Sequence, residues 1–149
     1  MSKIGKQVSK RGWLRLLLLA AVVLLAVFLI RGCTADIGPD LRKLDGRMAY
    51  ARSLGWELDP ASETHKSVRI PDPLTDVLER YNEIQLKQGC DLKTHLGESC
   101  EQYCYTVTNY PDPEQNVQIS LYIQGRDLIA GDVHSTALNG FMQGLEKEE

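Results

Sequence analysis

The sequence predicts an α+β protein in two parts: an N-terminal transmembrane helix, then a small domain in which an amphipathic helix packs on an antiparallel β-meander. Three observations predict it. Leu16 to Ile30 are fifteen consecutive apolar residues. The segment "DPLTDVLERYNEIQLKQG", 72 to 89, carries a start signal, an apolar stripe at helical spacing and a stop signal. Residues 99–109, 117–124 and 127–134 are rich in β-branched and aromatic types and are separated by turn sequences.

The apolar run lengthens to include Trp13 and Leu14 if Arg15 turns its guanidinium back toward the headgroups. Leu14 to Ile30 makes about 26 Å of helix at about 1.5 Å per residue, against a hydrocarbon core of about 30 Å. The run reaches the upper limit of about 15 residues for a cleaved signal, and no A-x-A pattern follows it. For a lipoprotein cut before Cys33, Ile30 and Gly32 suit and the long, charged Arg31 does not. An uncleaved anchor is therefore the primary reading, and lipidation of Cys33 the alternative. Lys3, Lys6, Lys10, Arg11 and Arg15 flank the start of the span with no acid among the first thirty residues, which predicts a cytoplasmic amino terminus. The chain divides into a basic cytoplasmic tail (1–12), a transmembrane anchor (13–31), a short linker (32–39) and an extracytoplasmic domain (40–149).

The net charge of −3 hides two unlike parts. The first thirty residues hold five of the 17 basic side chains and none of the 20 acidic ones, leaving 12 basic against 20 acidic, a formal −8. A domain of that sign is unsuited to phosphate backbones, so nucleic-acid binding is set aside. Its length suits one core, not two.

Within the domain, Ile37, Leu41, Leu44, Met48, Ala51 and Gly55 fall at helical spacing, with Pro39 in the first turn and Gly55 just past the end. Gly46 inside that helix costs about 1 kcal/mol relative to alanine, so tertiary support is expected there. "WELD", 56 to 59, reads as a strand start, "PASETHKS" as a polar loop and "VRI", 68 to 70, as a second short strand piece stopped by Pro71. The next helix is predicted over 73–88, with Asp72 as N-cap, Pro73 at N1, a stripe of Leu74, Val77, Leu78, Tyr81 and Ile84, and Gly89 closing it. Asp91 caps a short turn through Leu92 and Leu96 that Gly97 ends. In the middle strand of the meander, Val117, Ile119, Leu121 and Ile123 share one face, and the stripe of the 73–88 helix is their expected burial partner.

Chemistry is sparsely signalled. Cys90, Cys100 and Cys104 lie in a compartment that permits disulfides. On a strand, Cys100 and Cys104 stand about 13 Å apart, too far to pair with each other. Cys90 could bridge to either, or all three are small buried thiols. C-x-x-C is absent, and the C-x3-C spacing is poor zinc geometry, so no metal or cofactor is expected. Asp132 and His134 are two apart, so on a strand they point the same way and could act as a base with its orienting partner. The expectation is nonetheless an exposed strand end carrying polar residues. Ser135 and Thr136 adjoin them, but adjacency in sequence is not nucleophile geometry. Tyr103 and Tyr105 share a strand face with Val107, which fits a recognition surface or, more commonly, half-buried sheet packing.

The segments "GWELDP", "IPDPLTDVLERYNEIQLKQGCDL", "YCYTVTNYP" and "DVHSTALNGFMQG", in that order after a single membrane span, resemble the small anchored proteins of clostridia-type bacteria grouped as domain of unknown function 4830. The similarity runs over roughly residues 50 to 145. It implies an architecture and a topology, with no activity or site residues attached. In that pattern an aromatic stands where this chain has Cys90 and an apolar residue where it has Cys100, which implies that both positions face the core. The functional expectation is a membrane-tethered extracytoplasmic binding or accessory module of the bacterial cell envelope, partnered by the membrane and by an envelope protein or cell-wall component. It is not expected to be an enzyme. The alternative is an envelope hydrolase using Asp132 and His134.

Overall fold

The structure is a computed structural model that describes residues 38–147. The tail, the anchor, Cys33 and Ile37 lie outside the described residues. Among the described residues no helix is long and apolar enough to cross a membrane.

Residues 40–147 form a five-stranded antiparallel sheet with a helix on each face. The strands are β1 (Leu58–Arg69), β2 (Ser99–Val107), β3 (Val117–Gln124), β4 (Asp127–Ser135) and β5 (Met142–Gln143), in the spatial order of the sequence. The helices are α1 (Leu44–Ser53), before the sheet, and α2 (Asp76–Lys87), between β1 and β2. The meander over β2 to β4 follows the prediction. The turn between β3 and β4 is tight because Gly125 supplies a φ of +61°.

Sequence and structure differ at β1. "PASETHKS" is not a loop: the chain continues as one edge strand from Leu58 to Arg69, with a register irregularity between Asp59 and Thr64. An edge strand exposed along most of its length has no apolar alternation to reveal it, and Pro60 and Lys66 suit an edge that must not pair further. The two-residue β5 was not foreseen either.

The burial partner of β3 also differs. Val117, Ile119, Leu121 and Ile123 do share a face, and all are buried. They pack with Met48 and Ala51 of α1, with Trp56 and Leu145, and with Tyr105 and Val133 of the neighbouring strands, not with the later helix. Full burial of each such aliphatic side chain is worth about 1.5–3 kcal/mol. The indole of Trp56 donates to Leu145 O at 2.7 Å and ties the carboxy-terminal segment to this core. Gly46 has its reason here. A Cβ at that position would stand 2.0 Å from Asp40 O, so the turn preceding α1 closes against the glycine. That turn replaces the first helical turn expected at Pro39.

The helix α2 lies over the opposite face, where Leu74, Leu78 and Tyr81 pack with Ile70, Leu92, Cys100, Ile129, Ala130 and Tyr122. It starts later than predicted. The Asp72–Pro73 peptide is cis, and the N-cap is Thr75, whose hydroxyl accepts from Leu78 N at 3.4 Å. Its inward face carries amides. Asn82 accepts from Leu92 N at 2.7 Å and donates to Asp91 at 2.9 Å, which holds the 92–95 turn against the helix. The Gln85 side-chain oxygen accepts from Gly131 N at 2.8 Å, and Gln88 donates to Gly131 O at 2.7 Å. Those two glutamines therefore satisfy the stretch of β4 edge that the short β5 leaves uncovered.

Candidate functional site

Antiparallel register lines up three rows of side chains on the α2 face of the sheet. Cys104, Ser120 and Asp132 are neighbours across β2, β3 and β4; Gln102, Tyr122 and Ala130 form the next row; Gln118, His134 and Met142 the third. Between the floor they make and α2 lies a cleft of about 530 Å³. Its walls are Val77, Leu78, Arg80, Tyr81 and Ile84 from α2 and Met142 from β5. Small-molecule sites span about 300–1,000 Å³ and are mostly apolar with a few convergent polar groups, which describes this cleft.

The polar group at its base is Asp132, which is 2% exposed. One carboxylate oxygen accepts from the Tyr81 hydroxyl at 2.7 Å and the other from His134 Nδ1 at 2.7 Å. Alternation on β4 puts Asp132 and His134 on one face, and the rise of the helix brings Tyr81 over them. The bond to Asp132 raises the His134 pKa above its ordinary value, against the opposing effect of partial burial. Burial and the neighbouring Asp132 push the Tyr81 phenol far above its usual range, so it stays a neutral donor. The same two causes hold Tyr122 at about 12. Among the described residues His134 Nε2 has no hydrogen-bond partner, so the ring is anchored on one edge and open on the other.

The exposed strand end expected at 132–134 is thus corrected: Asp132 is buried and His134 half-buried beneath α2. Neither hydroxyl next to His134 joins it. Ser135 Oγ donates to Gln115 O at 2.6 Å and Thr136 Oγ1 to Asn116 O at 3.1 Å. Ser120, beside Asp132 in the ladder, shares a 3.2 Å hydrogen bond with Cys104 Sγ.

Tyr105 is buried and Tyr103 half-buried, the sheet packing that the sequence reading favours over a recognition surface. They lie on the other face of the sheet, around Arg47, which is 3% exposed. The guanidinium donates to Tyr105 Oη at 2.5 Å, to Leu41 O at 2.9 Å and to Glu63 Oε2 at 2.9 Å, and sits 3.7 Å above the Tyr103 ring. Tyr105 also donates to Glu63. Burial works against the Arg47 charge, but the bonds to Tyr105 and Glu63 outweigh it and raise its pKa. Tyr103 is covered on its outer side by His65, with ring centroids 4.5 Å apart.

Cys90, Cys100 and Cys104 are free thiols, so neither bridge from Cys90 is formed. Cys100 is enclosed by the apolar cluster under α2, while the Cys90 thiol points to Leu128 O at 3.8 Å. Burial pushes both thiols up, which makes them poor nucleophiles. Among the described residues no group of three or more His, Cys, Asp or Glu side chains could hold a metal ion. Comparison with family models, curated proteins and solved structures finds no match.

Two features of the cleft escaped sequence reasoning. Tyr81 was read as stripe, although a phenol on an inward helix face needs a partner for its hydroxyl, and that need was the available signal. Met142 carried none, since nothing in "NGFMQG" announces a strand that ends beside His134.

Proposed function

We propose that this chain is a membrane-tethered extracytoplasmic binding module of the cell envelope and that its ligand enters the cleft between α2 and the sheet. One observation carries the binding reading: an apolar cleft whose base holds a buried carboxylate, fully partnered by Tyr81 and His134, with one imidazole edge left open. A polar cluster built only for stability would close on itself. Val77 and Met142, at 68% and 50% exposure, are two of the five exposed large apolar side chains among the described residues, and both border this cleft. The tether rests on the apolar run 16–30 and its basic flank, with the resemblance to anchored proteins in support. A lipid on Cys33 is the alternative attachment.

Two measurements test the reading. Protease added to intact cells should digest residues 40–149, and protection of that portion until lysis overturns the topology. Bulky alkylation of a Val77→Cys variant should abolish retention of the natural ligand by the chain purified from its membrane. Unchanged retention removes the cleft from the function. Intact mass separates the two attachments, because a lipidated product lacks the first 32 residues.

A second reading is supported by the same dyad. A histidine oriented by a buried aspartate is the arrangement of a general base, here acting on water in the cleft of an envelope hydrolase. No serine or cysteine among the described residues is hydrogen-bonded to His134, which favours binding over covalent catalysis. Ester hydrolysis by the full chain that disappears in His134→Gln would reverse that preference.

A further inference from the structure

The cleft's unengaged charge narrows what it can hold. Its floor is already bonded within itself: the Gln102 amide nitrogen donates to Tyr122 Oη at 2.9 Å, and Ser120 pairs with Cys104. Among the described residues the only acid lining it is Asp132, both of whose oxygens already accept a hydrogen bond, so a cationic ligand finds no free carboxylate there. The basic groups that remain are Arg80, a donor, and His134, whose Nε2 donates when the ring is protonated. Arg80 uses its Nε on Asp76 O at 3.4 Å, and its terminal nitrogens have no partner among the described residues. His134 presents Nε2. A guanidinium and an imidazole that can only donate when charged call for an acceptor-only group, a carboxylate or a phosphate. The remaining lining is aliphatic, and its exposed members continue to the rim.

Resting on the cleft reading above, we infer that the ligand is a single-chain anionic amphiphile. Its apolar chain lies along Val77, Leu78, Ile84 and Met142, and its head is held between His134 Nε2 and the Arg80 guanidinium. Charge complementarity selects this occupant over a neutral chain, which would leave both donors unanswered, and over an amine, which would face Arg80.

The test uses the full chain in nanodiscs of zwitterionic phosphatidylcholine and decanoate carrying a mid-chain diazirine as the probe, with the label mapped by mass spectrometry. Label is expected within 77–84 and on Met142. Decanoate or decyl phosphate should displace it about tenfold better than decanol, the size of one charge-assisted hydrogen bond. Whichever of the two acids is stronger names the head. His134→Gln and Arg80→Gln should each remove most of that advantage; Arg80 is exposed on α2, so its variant reports even if the other misfolds. Equal displacement by decanol, or better displacement by decylamine, overturns the anionic head and leaves an apolar binding cleft standing. Suppression of the label by phosphatidylglycerol in the disc, to the extent decanoate achieves, overturns the single-chain assignment in favour of a bilayer lipid. Label confined to sites outside 77–84 and 142 overturns this inference and the cleft reading together.

Discussion

On each side of the sheet one basic or acidic side chain is buried, Arg47 of α1 and Asp132 of β4, and the two are treated differently. On the inward side of α1, Arg47 is met on every side: Tyr105, Glu63 and the Leu41 carbonyl take its donors and Tyr103 covers its plane. Under α2, Asp132 is equally well partnered, but one partner, His134, has a second nitrogen that faces a cleft. The difference lies in whether the compensating network closes. A closed network fixes the docking of a helix. A network with one open member is rigid up to the last group and chemically available there, which is what a site requires.

The contrast breaks most visibly at Arg47. Arg47→Ala should destabilise the domain by about 3 kcal/mol, the lower end of the range of about 3–5 for a broken buried pair, because Glu63 keeps some access to water. Hydrogen exchange at β3 amides reads the loss. A change below about 1 kcal/mol would mean that the closed network is ornamental. Gly46→Ala attacks the same face through the backbone. Its Cβ would overlap Asp40 O, and a loss of about 1–3 kcal/mol is expected in the same assay.

On the open face, Tyr81→Phe should cost about 1–3 kcal/mol by leaving one Asp132 oxygen buried without a donor. It should also raise the His134 pKa further, since the carboxylate then leans more on the imidazole. Imidazole NMR titration checks this, and a fall would show that Tyr81 and His134 do not share Asp132. The pH dependence of the dyad follows from its direction. The folded-state pKa of His134 lies above the ordinary value of 6.5, so the pair's contribution to stability is complete below about pH 6.5 and fades as pH rises through the folded value. Comparing the stability of His134→Gln with the parent across pH 5–9 should show a gap that narrows toward alkaline pH. A gap that widens would reverse the assignment. The smallest effect is expected for Val77→Ser, within about 0.5 kcal/mol in stability because the side chain is already exposed, with any change confined to ligand retention.

Much of the open face could be read from sequence, but with the wrong emphasis. Alternation put Asp132 and His134 side by side, and a helix over 73–88 was plain from its stripe, although it begins only at Asp76. The stripe, however, serves two purposes: Leu74 enters the core, Val77 and Ile84 line the cleft, and Leu78 does both. Hydrophobicity could not separate them. The inward amides Asn82, Gln85 and Gln88 carry no signal in the sequence, because nothing local shows that a strand edge and a neighbouring turn wait for their hydrogen bonds. Arg47 was passed over for the same reason, since its partners lie 16 and 58 residues away in the chain.

Acting alone, the sequence determined the α+β class, the meander over β2 to β4, the inward face of β3 and the turns at Gly55, Gly97 and Gly125. These follow from periodicity and backbone sterics, which operate over a few residues. Only the tertiary structure decided which helix covers which face, that residues 60–67 pair as an edge strand, and that Tyr81, Asp132 and His134 converge beneath α2. Those outcomes depend on hydrogen bonds and packing between segments far apart in the chain, whose energies exist only once the sheet has brought them together.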